Sequence, residues 1–85
     1  MPDQLPAITG KQLIRLFSDA GWTRGRKTLH GVAFRKQFSD RVRVTTIPDK
    51  RSSLPSGTLA AILGPKQSGI GHAGLVDLIA RFGVR

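Results

Sequence analysis

The chain has 85 residues, no cysteine, and a formal charge of +9 from 14 lysines and arginines against 5 aspartates. This excludes a disulfide-braced or thiolate–zinc fold. It also excludes a large core, because a chain this short buries only about 60% of its unfolded surface, so one domain over residues 1–85 is expected. A field this strong attracts RNA, DNA or an acidic protein.

The opening "MPDQLPAITG" lacks a basic start followed by an apolar run, so no secretory signal is expected. No apolar stretch approaches the ~20 residues of a membrane helix. With the absence of cysteine, the expected setting is the cytoplasm, away from membranes.

In chain order, "ITGKQLIRLFSDAGW" predicts a helix with both ends specified. Thr9 is the N-cap, and Gln12 completes a capping box. Ile8 and Leu13 are placed as a hydrophobic staple. Leu13, Leu16, Phe17 and Ala20 share one face, with Ile14 beside them. Gly21 ends the helix in the left-handed conformation, and Trp22 folds back onto Phe17.

Three strands follow. A short one is expected around Arg24 to Thr28. In "HGVAFRKQF", His30, Val32, Phe34 and Phe38 share a parity that Lys36 interrupts. In "RVRVTTI", Arg41 to Ile47, Val42 and Val44 alternate with Arg41, Arg43 and Thr45, the pattern of a half-buried strand. Ser39-Asp40 connects the second and third strands, and a bulge is expected near Gly31.

"PDKRSS" reads as a polar loop and "LPSGTLAAILG" as a short helix with Leu59, Ile62 and Leu63 inward. Gly64-Pro65 stops it, and "KQSGIG" reads as a flexible connector. "HAGLVDLIARFG" is the last helix, with Leu75, Leu78, Ile79 and Phe82 on one stripe. Antiparallel strands followed by helices predict an α+β layer fold, a three-stranded antiparallel sheet with helices on one face.

On this reading the free sheet face carries Arg41, Arg43, Arg35 and Gln37. Like charges opposite one another weaken a sheet, whereas arginine suits the bidentate recognition of phosphate. The candidate polyanion-binding residues are therefore Arg24, Arg26, Lys27, Arg35, Lys36, Arg41 and Arg43. His30 stands among them. A neutral imidazole accepts a proton, and RNA carries its own nucleophile, the 2′-hydroxyl. A histidine base with cations stabilising charge on phosphorus can cleave RNA without metal. The five acids, Asp3, Asp19, Asp40, Asp49 and Asp77, show no paired spacing, so neither a metal nor another cofactor is expected. A non-catalytic binding module and a purely protein-binding role use the same charge.

Four stretches, "ITGKQLIRLFSDAGW", "KTLH", "LPSGTLAAIL" and "GIGHAGLVDLI", together resemble HicA, the toxin of bacterial HicA–HicB toxin–antitoxin pairs. The resemblance covers nearly the whole chain, and residues 65–85 resemble the tail of a longer branch. It implies a fold similar to double-stranded RNA-binding domains, α-β-β-β-α with an extra C-terminal helix. It implies an mRNA interferase whose one catalytic histidine corresponds to His30. It also implies a HicB-type antitoxin as partner, covering the basic face and the histidine. The family pattern has Gly-Ser before that histidine; this chain has Thr28-Leu29.

Overall fold

The computed structural model describes residues 7–84, and its first helix, α1 (Gly10–Asp19), is closed at both ends by local bonds. Thr9 Oγ1 accepts the Gln12 N–H at 3.1 Å, and Gln12 Oε1 accepts the Thr9 N–H at 2.9 Å. This capping box satisfies two of the helix's orphan donors. Ile8 and Leu13 are both buried. At the other end Gly21 has φ +90. Trp22 N–H donates to Phe17 O at 3.1 Å and Gly21 N–H to Ser18 O at 3.3 Å. The Trp22 ring lies 5.0 Å from that of Phe17. These are the two bonds and the apolar contact of a Schellman cap.

Strands β1 (Thr23–Thr28), β2 (Gly31–Gln37) and β3 (Val42–Ile47) form one antiparallel sheet in the order β1-β2-β3. The bulge lies in β1, where the register shifts between Arg24 and Lys27, rather than near Gly31. Gly31 instead pairs regularly with Thr28. In β2, Val32 and Phe34 are buried, and half-buried Lys36 follows on the same face.

The parity of β3 corrects the sequence reading. Val32 faces Ile47, Phe34 faces Thr45 and Lys36 faces Arg43. The buried residues of β3 are therefore Thr45 and Ile47, while Val42 and Val44 are 48% and 54% exposed. Strand side chains have a period of two, so one buried pair decides the face of every other residue. Ile47 against Val32 makes that decision. Thr45 is tolerated in the interior because its hydroxyl donates to Gln67 Oε1 at 2.6 Å.

Helices α2 (Ser56–Leu63) and α3 (Gly71–Phe82) complete the chain. Leu59, Ile62 and Leu63 of α2 and Leu75 and Leu78 of α3 are buried in one cluster with Leu13, Phe17, Val32, Phe34 and Ile47. The architecture is α+β, with three helices and an antiparallel sheet whose Val32–Phe34 face carries the core. The other face presents Ala33, Arg35, Gln37, Val42, Val44 and Thr46.

The connector between α2 and α3, read as flexible, is pinned. Ser68 is buried; its hydroxyl and its N–H both donate to Ile62 O, at 2.6 and 3.0 Å, and Gly69 N–H donates to Gly64 O at 2.8 Å. The polar loop after β3 is anchored too, by Leu54 N–H to Ile8 O at 2.8 Å. Among the described residues no helix is long and apolar enough to cross a membrane.

Gly31 has φ +132, and a Cβ there would overlap the Ile47 carbonyl and lie 2.8 Å from Pro48 Cα. The backbone conformation alone costs a side chain ~1–3 kcal/mol, and the overlap adds to it. Gly31→Ala is expected to lower the urea midpoint, corresponding to a loss of at least ~2 kcal/mol in stability. An unchanged midpoint would contradict this packing.

Candidate functional site

His30 sits at the apex of the β1–β2 hairpin. Thr28 and Gly31 form its last pair, leaving only Leu29 and His30 in the turn. Neither has positive φ; Gly31 carries the positive φ instead. The glycine next to the two-residue turn thus takes the conformation that a side chain would resist. Leu29 is 102% exposed, and His30 is exposed beside it. Thr28 stitches the turn together. Its hydroxyl accepts the His30 N–H at 3.1 Å and donates to Gly31 O at 3.3 Å. The hydroxyl next to the histidine is thus present but engaged with the backbone. Among the described residues none hydrogen-bonds the imidazole.

The same end of the sheet gathers charges that are far apart in sequence. Gly31 abuts Ile47 and Pro48, so the loop beginning at Pro48 starts beside the turn. From that loop Asp49 reaches two lysines, Lys11 on α1 at 2.7 Å and Lys27 on β1 at 2.9 Å. Lys11 N–H also donates to Lys50 O at 3.0 Å. The ammonium groups, Lys11 first and then Lys27, hold the Asp49 carboxyl down to about 2, against a limited opposing effect of desolvation.

The expected binding residues do not converge. Arg26 and Lys27 lie near the His30 turn, and Arg24 lies opposite Phe34. Lys36 is five residues along β2 from Gly31, or ~17 Å at ~3.3 Å per residue. Arg43 is paired opposite it. Arg41 lies in the loop before β3, 3.6 Å from Asp40. The expected row of Arg35, Arg41 and Arg43 on the free face is therefore broken. Arg35 is on that face, but Arg43 is on the helix side. There its guanidinium donates to Pro65 O at 2.9 Å and sits 5.9 Å from the Phe38 ring centre. Lys36 likewise donates to Ala20 O at 3.3 Å, at the C-terminal end of α1, where a cation is favoured. These two bases brace the fold.

Lys11, Asp49, Lys50 and Arg51 were not singled out from the sequence. Lys11 and Asp49 are 38 residues apart, and nothing local signals their meeting. Among the described residues no three histidines, cysteines or acids come together as metal ligands; Asp3 lies outside those residues. His72, the second residue of α3, is half-buried in a hollow of about 300 Å³ lined by Ala60, Leu63 and Pro65.

Two outcomes are expected. Thr28→Val should cost ~0.5–1.5 kcal/mol in urea unfolding, because both turn bonds are lost; an unchanged stability would remove Thr28 from the turn's support. For Asp49, folding favours the ionised form, since its folded value lies below the ordinary 3.8. Its contribution is full above that value and is lost as pH falls through about 2. Asp49→Asn should lower Tm at pH 7 and flatten the acid loss of Tm across that window. Parallel Tm–pH profiles would show that the two lysines do not act on Asp49. No family model, curated protein or solved structure matches this chain.

Proposed function

We propose that the chain is a metal-independent endoribonuclease of the HicA toxin type, an mRNA interferase acting in a bacterial cytoplasm with His30 as its catalytic residue. The observation that carries this reading is the position of His30. It is exposed at the apex of a tight hairpin, on the sheet end where Lys11 and Lys27 converge. The element order, helix, three antiparallel strands, helix, helix, supports the likeness to a double-stranded RNA-binding domain with a C-terminal addition. The net charge of +9 supports a polyanionic substrate.

The chemistry needs little machinery. His30 takes the proton of a 2′-hydroxyl, the 2′-oxygen bonds to the adjacent phosphorus, and the bond to the 5′-oxygen breaks. The leaving oxygen takes up a proton, so the products are a 2′,3′-cyclic phosphate and a 5′-hydroxyl. Lys27, Arg26 and Arg24 of β1 hold the phosphates, with Arg35 and Arg41 further along. A HicB-type antitoxin is the expected protein partner, covering this end and the histidine.

RNA incubated with the protein in EDTA tests the reading. Wild type should cleave, leaving cyclic phosphate or its hydrolysis product. His30→Ala should be slower by at least ~100-fold, the scale of a lost general base. Intact RNA with wild type, or equal cleavage by the variant, rejects it.

The fully exposed strand β1, with Arg24, Arg26 and Lys27, and an imidazole that no described residue orients suit a second reading, a binding module without catalysis. Such modules read A-form shape through phosphates and 2′-hydroxyls. Saturable duplex binding with no product, and a log–log salt slope of about −0.9 per phosphate neutralised, is its signature.

A further inference from the structure

Lys11 and Lys27 come from different elements, yet folding brings both ammonium groups to one carboxylate. Lys11 Nζ meets Asp49 Oδ1 and Lys27 Nζ meets Asp49 Oδ2. Each oxygen has its own cation, the arrangement that also suits the two anionic oxygens of a phosphodiester. The lysine side chains remain 48% and 66% exposed, whereas that of Asp49 is 13% exposed. The donors therefore open to solvent in front of a recessed carboxylate. The N-terminal turn of α1 offers no rival anion site here, because the Thr9, Lys11 and Gln12 N–H groups are already bonded. Lys50 and Arg51 follow Asp49 in the loop, and Arg26 precedes Lys27, so positive charge continues on either side.

We propose that Lys11 and Lys27 form a seat for one phosphate of an RNA backbone beside the His30 turn, with Asp49 as an internal placeholder. Asp49 holds the two ammonium groups together while the seat is vacant, and the incoming phosphate takes over their hydrogen bonds. This rests on the reading that this end of the sheet meets RNA, but not on catalysis. The placeholder makes a signed claim: it competes with the ligand, so its removal strengthens binding.

The test is titration with a 2′-O-methyl oligoribonucleotide, which lacks the nucleophile and stays intact. Binding is measured at several salt concentrations for wild type, Asp49→Asn, Asp49→Glu, Lys11→Gln and Lys27→Gln. Asp49→Asn should bind several-fold more tightly at low salt. Its salt slope should steepen by up to ~0.7, the increment for one single-strand phosphate contact. Asp49→Glu should resemble wild type, and each lysine variant should bind several-fold more weakly. Equal or weaker binding by a folded Asp49→Asn, or lysine variants that bind like wild type, overturns the seat. If thermal melts show Asp49→Asn unfolded, the lysine variants decide alone. Polyglutamate bound as tightly as the oligonucleotide would assign the seat to an acidic protein and overturn the RNA assignment. A protein that binds as expected but cleaves no RNA retires the nuclease reading and leaves the seat standing.

Discussion

Phe17 is fully buried and meets two other rings, Trp22 at 5.0 Å and Phe34 at 5.9 Å. Trp22 passes the contact on to Phe38 at 5.9 Å. This chain of rings joins the end of α1 to β2, and most other placements follow from it. With Phe34 inward, Val32 and Lys36 share its face and Arg35 takes the other. Pairing carries the parity across to β3, where Ile47 and Thr45 turn in and Val42 and Val44 turn out. A small core without disulfides has few ways to fix a sheet, and aromatic contacts of this kind add ~0.5–1.5 kcal/mol beyond burial.

Legibility in the sequence tracked the range of the deciding interaction. The cap, the stop and the Phe17–Trp22 contact of α1 are decided within a few residues, and all were readable. So were the inward leucines of α2 and α3, because helical spacing places them. The face of β3 was not readable from its own alternation. Valines against arginines look like core against solvent, but the choice is made by Ile47, at the far end of the strand, meeting Val32. Arg43 tolerates the inward face because its head escapes to Pro65 O while its guanidinium lies near the Phe38 ring. The pinned connector is decided at two ranges: Gln67 answers Thr45 across 22 residues, while Ser68 and Gly69 close back onto Ile62 O and Gly64 O, a local closure that its glycine-rich composition does not announce.

The candidate site was legible in part. His30 and the bases of β1 stood out as a local cluster, and the hairpin keeps His30 close to Lys27. The parity error made a line of arginines that the sheet does not have. Of the bases that the sequence groups together, Lys36 and Arg43 serve carbonyls and an aromatic ring. The convergence of Lys11, Lys27 and Asp49 needed three elements to be assembled first. The site thus shrinks from a broad basic face to one end of the sheet, where a turn, a strand and a helix start meet.

The outward turn of Val42 and Val44 has a consequence for how copies of this chain behave together. Both residues lie on β3, an edge strand, facing away from the core. An exposed apolar edge invites pairing with a second copy. What opposes it is long-range repulsion between molecules of charge +9, reinforced by Arg41 and Arg43 flanking Val42. That repulsion has a reach of about 10 Å at 0.1 M salt and about 3 Å at 1 M. Ionic strength therefore acts twice on this molecule, screening the attraction of its +9 charge for any anion and lifting the barrier that keeps its own sheets apart.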